Sequence, residues 1–548
     1  MKTMNTKYLH LCAISLCAVS CNGWLSQDGP MTNRVEGFFT SAQTAIQVVN
    51  AAYVPLMWEY QDTYFSEFFI GDVLSDDALK GGQNISDMSD AYDLENFKAI
   101  ANNTLVQSYY RAQYQGIARA NLAIEQVGAM ETDEDLTENL KSTLVGQARF
   151  LRALYYFRLV RLWGGVPLTT SPIYSSEEWK IPRSTEDEVY SQIIADLEYA
   201  QSVLPKKSDY PAEDLGRATA GAAQAMLLKA NLYWGDLKRN AGAADAAEKY
   251  LDAEKWGAEF ISSQSGEYSL CPVYADNFTL EGENGPESVF EVQYMAEGTS
   301  DYGEGNGFSR GTFTTILTRS RSSYFANAGW GFNHPTQNLY DEYEASDPRR
   351  EATILVLDDD KITTPSDEIY LGNRYLTLKR TMMQSSGDYL TLDHASRSPI
   401  NRIEIRLADV YLLYAEACLR NNNVSPAKEY LEKVRSRARQ GGNILPQFPS
   451  YSIPDYTNQY SLHSLSDTPE DLEMAIRHER RVELAMESHR WYDLCRWGIA
   501  KETMDAYAKT ETEQARSHMG GFVKGKHELL PIPDEEVRLG SLKQNNGY

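Results

Sequence analysis

The sequence predicts a mainly α-helical fold, built from tetratricopeptide-like helical hairpins and interrupted by long polar, loop-rich segments. Three observations carry this expectation. Apolar residues recur at helical spacing in successive stretches that come in pairs. Ala415 and Ala427 stand twelve residues apart, the spacing at which two small positions let the helices of a tetratricopeptide hairpin approach their neighbours. Finally, 548 residues with 42% hydrophobic content suffice for one large core or two intermediate ones.

The elements follow in chain order. Residues 108–127 carry Tyr110, Tyr114, Ile117 and Ile124 at helical spacing. Residues 144–163 are apolar on nearly every side until Gly164 and Gly165 stop them, so this second helix is expected to be buried. A further pair begins with residues 185–204, opened by the capping pattern Ser184-Thr185-Glu186-Asp187, and continues with the alanine-rich residues 218–234. Residues 407–437 hold the Ala415 and Ala427 hairpin, with Asn421-Asn422-Asn423 as its turn.

Ahead of the helices, Lys2 and Lys7 precede an apolar run over residues 8–20 that is too short to span a bilayer and reads as a secretory signal. It ends in Ala18-Val19-Ser20-Cys21, small residues leading into a thiol that a lipoprotein signal peptidase needs, so Cys21 is the expected lipidated first residue of the mature chain. No later stretch has the length of uninterrupted apolar residues a membrane helix requires, which leaves the lipid at Cys21 as the expected membrane attachment. Cys12 and Cys17 leave with the signal, and Cys271, Cys418 and Cys495 are too few for a disulfide framework. Loss of Lys2 and Lys7 takes the net charge from −25 to −27, which repels phosphate backbones and excludes nucleic acid as a partner.

Catalytic patterns fail on inspection. In residues 477–497, His478-Glu479 is followed by Val482 where a zinc-protease helix needs its second histidine, and His489 stands alone, so the charges there read as ion pairs between helical turns. Arg149, Arg152, Arg158 and Arg161 fit a carboxylate clamp in principle, but the expected role is pairing with scaffold acids. There is no complete Gly-x-x-x-x-Gly-Lys-Ser/Thr phosphate loop, and none of the 77 acids stands in a recognisable glycosidase pair. Asp358, Asp359 and Asp360 read as a solvated turn; bound calcium is conceivable there, but no cofactor is expected.

An ordered series of motifs resembles one family over nearly the full length. It runs from residues 39–53 through Ala148-Arg149-Phe150-Leu151-Arg152-Ala153, Trp163-Gly164-Gly165-Val166-Pro167-Leu168 and Ile181-Pro182-Arg183-Ser184-Thr185 to Gly216-Arg217-Ala218-Thr219. It continues with Arg406-Leu407-Ala408-Asp409, Tyr414-Ala415-Glu416-Ala417, Glu479-Arg480-Arg481-Val482-Glu483-Leu484, Ser488-His489-Arg490-Trp491-Tyr492-Asp493-Leu494, Leu530-Pro531-Ile532-Pro533 and Gln544-Asn545-Asn546-Gly547-Tyr548. The series resembles the SusD/RagB family of outer-membrane nutrient-binding lipoproteins. That resemblance implies a signal in residues 1–20, a SusD-like helical region in 21–270, and a C-terminal region in 271–548 that includes an irregular ligand-facing subdomain. It further implies a lipid-anchored, surface-facing protein of the outer membrane that captures glycan without turnover and docks on a SusC-like, TonB-dependent transporter. Capture of peptides or protein fragments for an analogous transporter is the alternative.

A glycan would be met by aromatic faces, on which polarised sugar C–H groups stack, and by polar side chains on loops. Residues 58–77 and 302–340 concentrate that chemistry. From the first come Trp58, Tyr64 and Asp76 as candidates, although Phe65, Phe68 and Phe69 beside Tyr64 look like core. From the second come Tyr302, Phe308, Arg310, Arg319, Tyr324, Trp330 and Asn333, favoured because Gly303, Gly305, Gly307 and Gly311 argue for an exposed, irregular loop.

Overall fold

The structure, a computed structural model, describes residues 39–59, 66–175, 178–296, 310–322, 329–359, 369–381, 398–439, 445–455 and 458–548. Helix α1 (Ala42–Tyr53) begins at Ser41, whose hydroxyl accepts the Thr44 N–H while Thr44 bonds back to the Ser41 backbone. Next come α2 (Thr104–Ala129), α3 (Glu138–Trp163), α4 (Glu186–Val203), α5 (Ala220–Asn240) and α6 (Ala246–Ser263), each packed on the one before. The stack continues from α6 onto α7 (Leu407–Arg420) and α8 (Val424–Ala438), crossing residue 270 without a break. Helix α9 (Pro469–Leu484) lies on α7, and α10 (Arg490–Trp497) lies on α5. This is the helical-hairpin scaffold that the spacing predicts.

Local chemistry sets the boundaries. The all-round apolar character of α3 reflects its place between α2 and α4, with Phe150, Leu151, Tyr155, Leu159 and Trp163 essentially fully buried. Gly164 stops the helix in a left-handed conformation (φ +69) that a side chain would strain. The cap of α4 is not the expected four-residue run from Ser184: Thr185 is the N-cap, and its partner is Glu188, which bonds back to the Thr185 backbone. Helix α5 runs two turns beyond its expected end, to Asn240, because Trp234 and Leu237 continue its apolar face. Asn421 and Asn422 make the α7 to α8 turn, and the small residues at Ala415 and Ala427 are fully buried.

Many tyrosines belong to this scaffold. A Cβ at Gly116 of α2 would stand 2.3 Å from the Tyr155 ring of α3, and one at Gly257 of α6 would meet Tyr414 of α7 equally closely. Each glycine is the notch that a tyrosine on the next helix fills, and Tyr155 then donates to the Ala52 carbonyl of α1 at 2.7 Å. Cys271 and Cys418 are buried thiols and Cys495 is half-buried.

Residues 477–497 are structural, but not as ladders along one helix. The charges of α9 are buried and paired across the fold: Glu479 with Arg349 (2.6 Å) and Arg435 (3.1 Å), Glu483 with Arg349 (2.9 Å), Arg406 (2.5 Å) and Arg437. Arg480 holds Asp409 (2.9 Å) and Asp493 (3.0 Å), and Arg481 holds Asp77 and Glu342 (both 2.9 Å). Removing one member of such a set leaves an uncompensated buried charge. Among the described residues no group of three or more His, Cys, Asp or Glu is placed to hold a metal. Asp358 and Asp359 are exposed, Asp359 bonding Arg374 at 2.6 Å, while Asp360 lies outside the described residues.

The strands are short antiparallel ribbons. Among the described residues β1 (Ala78–Gly81) pairs with β3 (Phe332–Pro335), β2 (Ser288–Val292) with β6 (Arg402–Arg406), β4 (Ile354–Val356) with β5 (Tyr375–Thr377), and β7 (Ser452–Asp455) with β8 (Asn458–Ser464). The first two carry residues distant in sequence to the region described next.

Candidate functional site

The region is organised by one buried carboxylate. Glu59 follows Trp58 at the end of the α1 arm and is 3% exposed. Its Oε1 accepts from Tyr294 (2.8 Å) and Arg402 of β6 (2.9 Å). Its Oε2 accepts from the Thr312 hydroxyl (2.6 Å), the Thr314 hydroxyl (3.1 Å) and the N–H groups of Phe313 and Thr314 (3.1 and 3.2 Å). Burial raises the carboxyl pKa, but the Arg402 guanidinium and the Thr312 and Tyr294 hydroxyls outweigh it and hold Glu59 below the usual range. A carboxylate saturated in this way is a pillar, not an acid or base.

On this pillar stands the segment 310–322, with a short helix over Thr314–Thr318. The flanks of four other segments are tied to it. Met295 donates to the Arg310 carbonyl (2.9 Å), Thr312 to the Ser398 carbonyl (2.8 Å), the Thr315 hydroxyl to the Arg380 carbonyl (3.1 Å), and the Ser66 and Thr314 hydroxyls share a bond of 2.9 Å. The stems bordering 60–65, 297–309 and 382–397 therefore converge on one platform, as do those of 323–328 within it. Backbone of several sequence origins is thereby gathered at one place.

Trp330 is fixed on the platform by its neighbours. Gly329 donates to the Ser320 carbonyl (2.6 Å), Trp330 to Ile316 (2.8 Å) and Gly331 to Arg319 (2.9 Å), so three successive peptides dock on the end of the short helix. Neither flanking glycine tolerates a side chain: a Cβ at 329 would lie 2.4 Å from Arg319 Cβ, and Gly331 has φ +68 with Arg321 2.8 Å away. The indole is partly buried and packs edge-on against Phe313, with centroids 5.3 Å apart. Beyond Gly331 the chain enters β3, whose partner β1 holds it from the other side.

The structure sorts the expected site residues. Trp58 directly precedes Glu59 and is half-buried with the Arg119 guanidinium 4.9 Å from its ring, Arg310 is exposed two residues before Thr312, and Trp330 packs on Phe313. Three candidates are instead internal. Asp76 is fully buried and bonded by Arg490 through both oxygens (2.8 and 2.9 Å), with Arg481 alongside, so it belongs to the ion-pair core. Arg319 is 1% exposed, its Nε donating to the Thr381 carbonyl at 2.7 Å. Asn333 is 2% exposed and donates to Asp72 Oδ2 at 3.2 Å. Tyr64, Tyr302, Phe308 and Tyr324 lie outside the described residues.

Sequence reasoning passed over Glu59, Arg402 and Phe313, and counted Asp72 only among the acids of residues 58–77. Asp72 accepts the Ser488 N–H (2.9 Å) and Asn333, yet burial pushes its carboxyl up to about 7. None of the four stands in a local pattern. The run Gly329-Trp330-Gly331 does, since a tryptophan between two glycines is a side chain displayed on a constrained backbone.

Similarity to known proteins bears on this geometry. Residues 286–548 match the SusD family, and residues 27–232 match a family described as starch-binding and associating with the outer membrane. A SusD-like protein of Formosa agariphila is 27% identical over 542 residues, 94% of each chain. The solved structure of a laminarin-binding SusD-like protein is 28% identical, with a TM-score of 0.73 over 93% of this chain and 100% of its own. That of surface glycan-binding protein A from Bacteroides fluxus is 25% identical, with a TM-score of 0.74 over the same shares. Among the described residues no helix is long and apolar enough to cross a membrane.

Proposed function

We propose that this chain, which belongs to the SusD/RagB family, captures a glycan on the platform around Trp330 and passes it, without cleaving it, to a SusC-like TonB-dependent transporter. The observation that carries the reading is the fixed presentation of Trp330: three backbone hydrogen bonds and two glycines hold an indole at the meeting point of four loop stems. A sugar ring gains by stacking on an aromatic face that costs no ordering entropy, and its hydroxyls find the exposed Arg310 and the surrounding loop backbone. Among the described residues of the platform Glu59 is saturated and Asp72 lies beneath the surface, so neither is placed as an acid or base toward a ligand. The likeness to a laminarin-binding protein and a surface glycan-binding protein supports a glycan as ligand. Anchoring through lipid at Cys21 places the chain on the outer membrane, in keeping with the family description of residues 27–232.

The test is native electrophoresis of the chain through gels that contain laminarin, starch and a panel of other polysaccharides. Retardation by at least one polymer, with no new reducing ends after long incubation, is the expected outcome. No retardation across the panel would move the ligand to peptides, and new reducing ends would make the chain an enzyme.

A further inference from the structure

Four arginines of α3 invite the question of what each one holds. Arg152 grips Asp196 through both oxygens (2.7 Å each), and Arg149 lies 3.9 Å from the same acid with its guanidinium over Tyr199. Arg158 holds Glu404 (2.6 Å) and Glu67 (3.4 Å). Arg161, one turn further on, has no acid within ion-pair distance among the described residues. Its Nε donates to the Phe157 carbonyl at 3.2 Å, and both terminal amino groups are left over. The guanidinium is instead layered on rings, 3.8 Å from the centroid of Tyr492 and 4.3 Å from that of Phe157. Glu67 is the acid in electrostatic reach, but it is already engaged by Arg158 and by Tyr109 at 2.6 Å.

Arg161 lines a cleft of about 410 Å³ between the ends of α3 and α5, the start of α4, α10 and residues 524–529. Its walls include Tyr190, Tyr233, Leu237 and Tyr492, and it shares no lining residue with the platform around Trp330. The other deep cation, Arg496, is consumed by Asp236 (2.7 Å), Glu416 (2.7 Å) and Asp493 (2.8 Å). On the rim, Lys524 and Lys526 add positive charge, opposed by Glu528 and by Glu186, whose carboxyl burial pushes upward, toward its neutral form. A half-buried guanidinium with two unused donors, set in a cleft walled in part by three tyrosines, is matched by a carboxylate, which takes both donors of the fork at once.

We propose that this cleft binds a carboxylate carried on an apolar or ring-shaped body, with Arg161 gripping the carboxylate and Tyr190, Tyr233 and Tyr492 enclosing the body. A chain terminus of a polypeptide and an acidic sugar share that chemistry. The cleft is a second site, independent of glycan capture on the platform.

The test is calorimetric titration of the purified chain with N-acetylphenylalanine and with D-glucuronate, each beside its uncharged counterpart, N-acetylphenylalaninamide or D-glucose. One acid is expected to bind and its neutral counterpart to bind at least about tenfold more weakly; which acid binds identifies the source of the carboxylate. Arg161→Gln is expected to weaken the acid by a similar factor. Leu237→Trp, which keeps Arg161 and fills the cleft, guards against a folding defect in the first variant and is expected to abolish binding. Neither acid binding, equal binding of acid and neutral form, or binding that survives either substitution overturns the proposal.

Discussion

The buried end of α9 and the platform around Trp330 both rest on carboxylates enclosed by donors, but they use them differently. Around α9 the buried acids are shared among several arginines, and most of these guanidinium groups span more than one acid: Arg406 alone meets Glu287 (2.7 Å), Glu483 (2.5 Å) and Glu487 (2.8 Å). On the platform a single acid, Glu59, gathers the Arg402 guanidinium together with hydroxyls and backbone N–H groups. The first arrangement locks helices to one another, with many redundant partners. The second ties backbone of several sequence origins together through one hub. Charge networks thus hold the helical part, and a single pillar assembles the platform.

The difference can be broken at its strongest point first. Arg406→Met removes the cation between three buried carboxylates and is expected to cost about 3–5 kcal/mol, a large part of the total stability of an ordinary domain. Denaturant unfolding measures it, and a loss below about 1 kcal/mol would mean that the network reorganises around the gap. Glu59→Gln keeps the shape of the pillar and removes its charge, with an expected loss of about 2–3 kcal/mol together with loss of glycan retention. Stability lost with retention intact would detach the pillar from binding.

Trp330→Ala should separate the two regions most cleanly. Because the indole is only partly buried, about 1–2 kcal/mol of stability is expected to go, while retention on the polysaccharide falls at least about tenfold. The last effect is one of pH. Glu487, held down to about 2 by Arg406 and Lys379 against its burial, contributes stability that is present above its unfolded value near 4.5 and is lost only as pH falls through about 2. Asp72 is raised from 3.8 to about 7, so folding takes up a proton between those values and its contribution to stability declines as pH rises through that window. Asp72→Asn is therefore expected to flatten the dependence of the unfolding midpoint on pH between 4 and 7, leaving the acid limb below pH 3 unchanged.

The scaffold was far more legible than the site, for a reason of distance along the chain. Helix α3 and the α7 to α8 hairpin announce themselves through residues three to twelve positions apart, and burial follows directly from apolar character on every face. Even there, side-chain partners were hidden: Glu479 and Glu483 suggest pairing within α9, but their arginines come from residues 349, 406, 435 and 437. The platform joins residue 59 to 294, 312–314 and 402, separations of more than two hundred residues that leave no periodic trace. Trp330 was found because an aromatic in a glycine-rich stretch has few core neighbours to explain it. Asp76 and Arg319 misled for the converse reason, since a polar side chain in a loop-rich sequence is not distinguishable from one folded inward to satisfy a buried partner.

Hydrogen–deuterium exchange with and without a retained glycan tests the central claim most directly. The account predicts slowed exchange confined to Trp58 and Glu59, residues 310–322 and residues 329–335, with the α4, α5 and α10 backbone around the Arg161 cleft unchanged. Protection on those helices with none at Trp330 and its neighbours would contradict it and place the glycan elsewhere on the molecule.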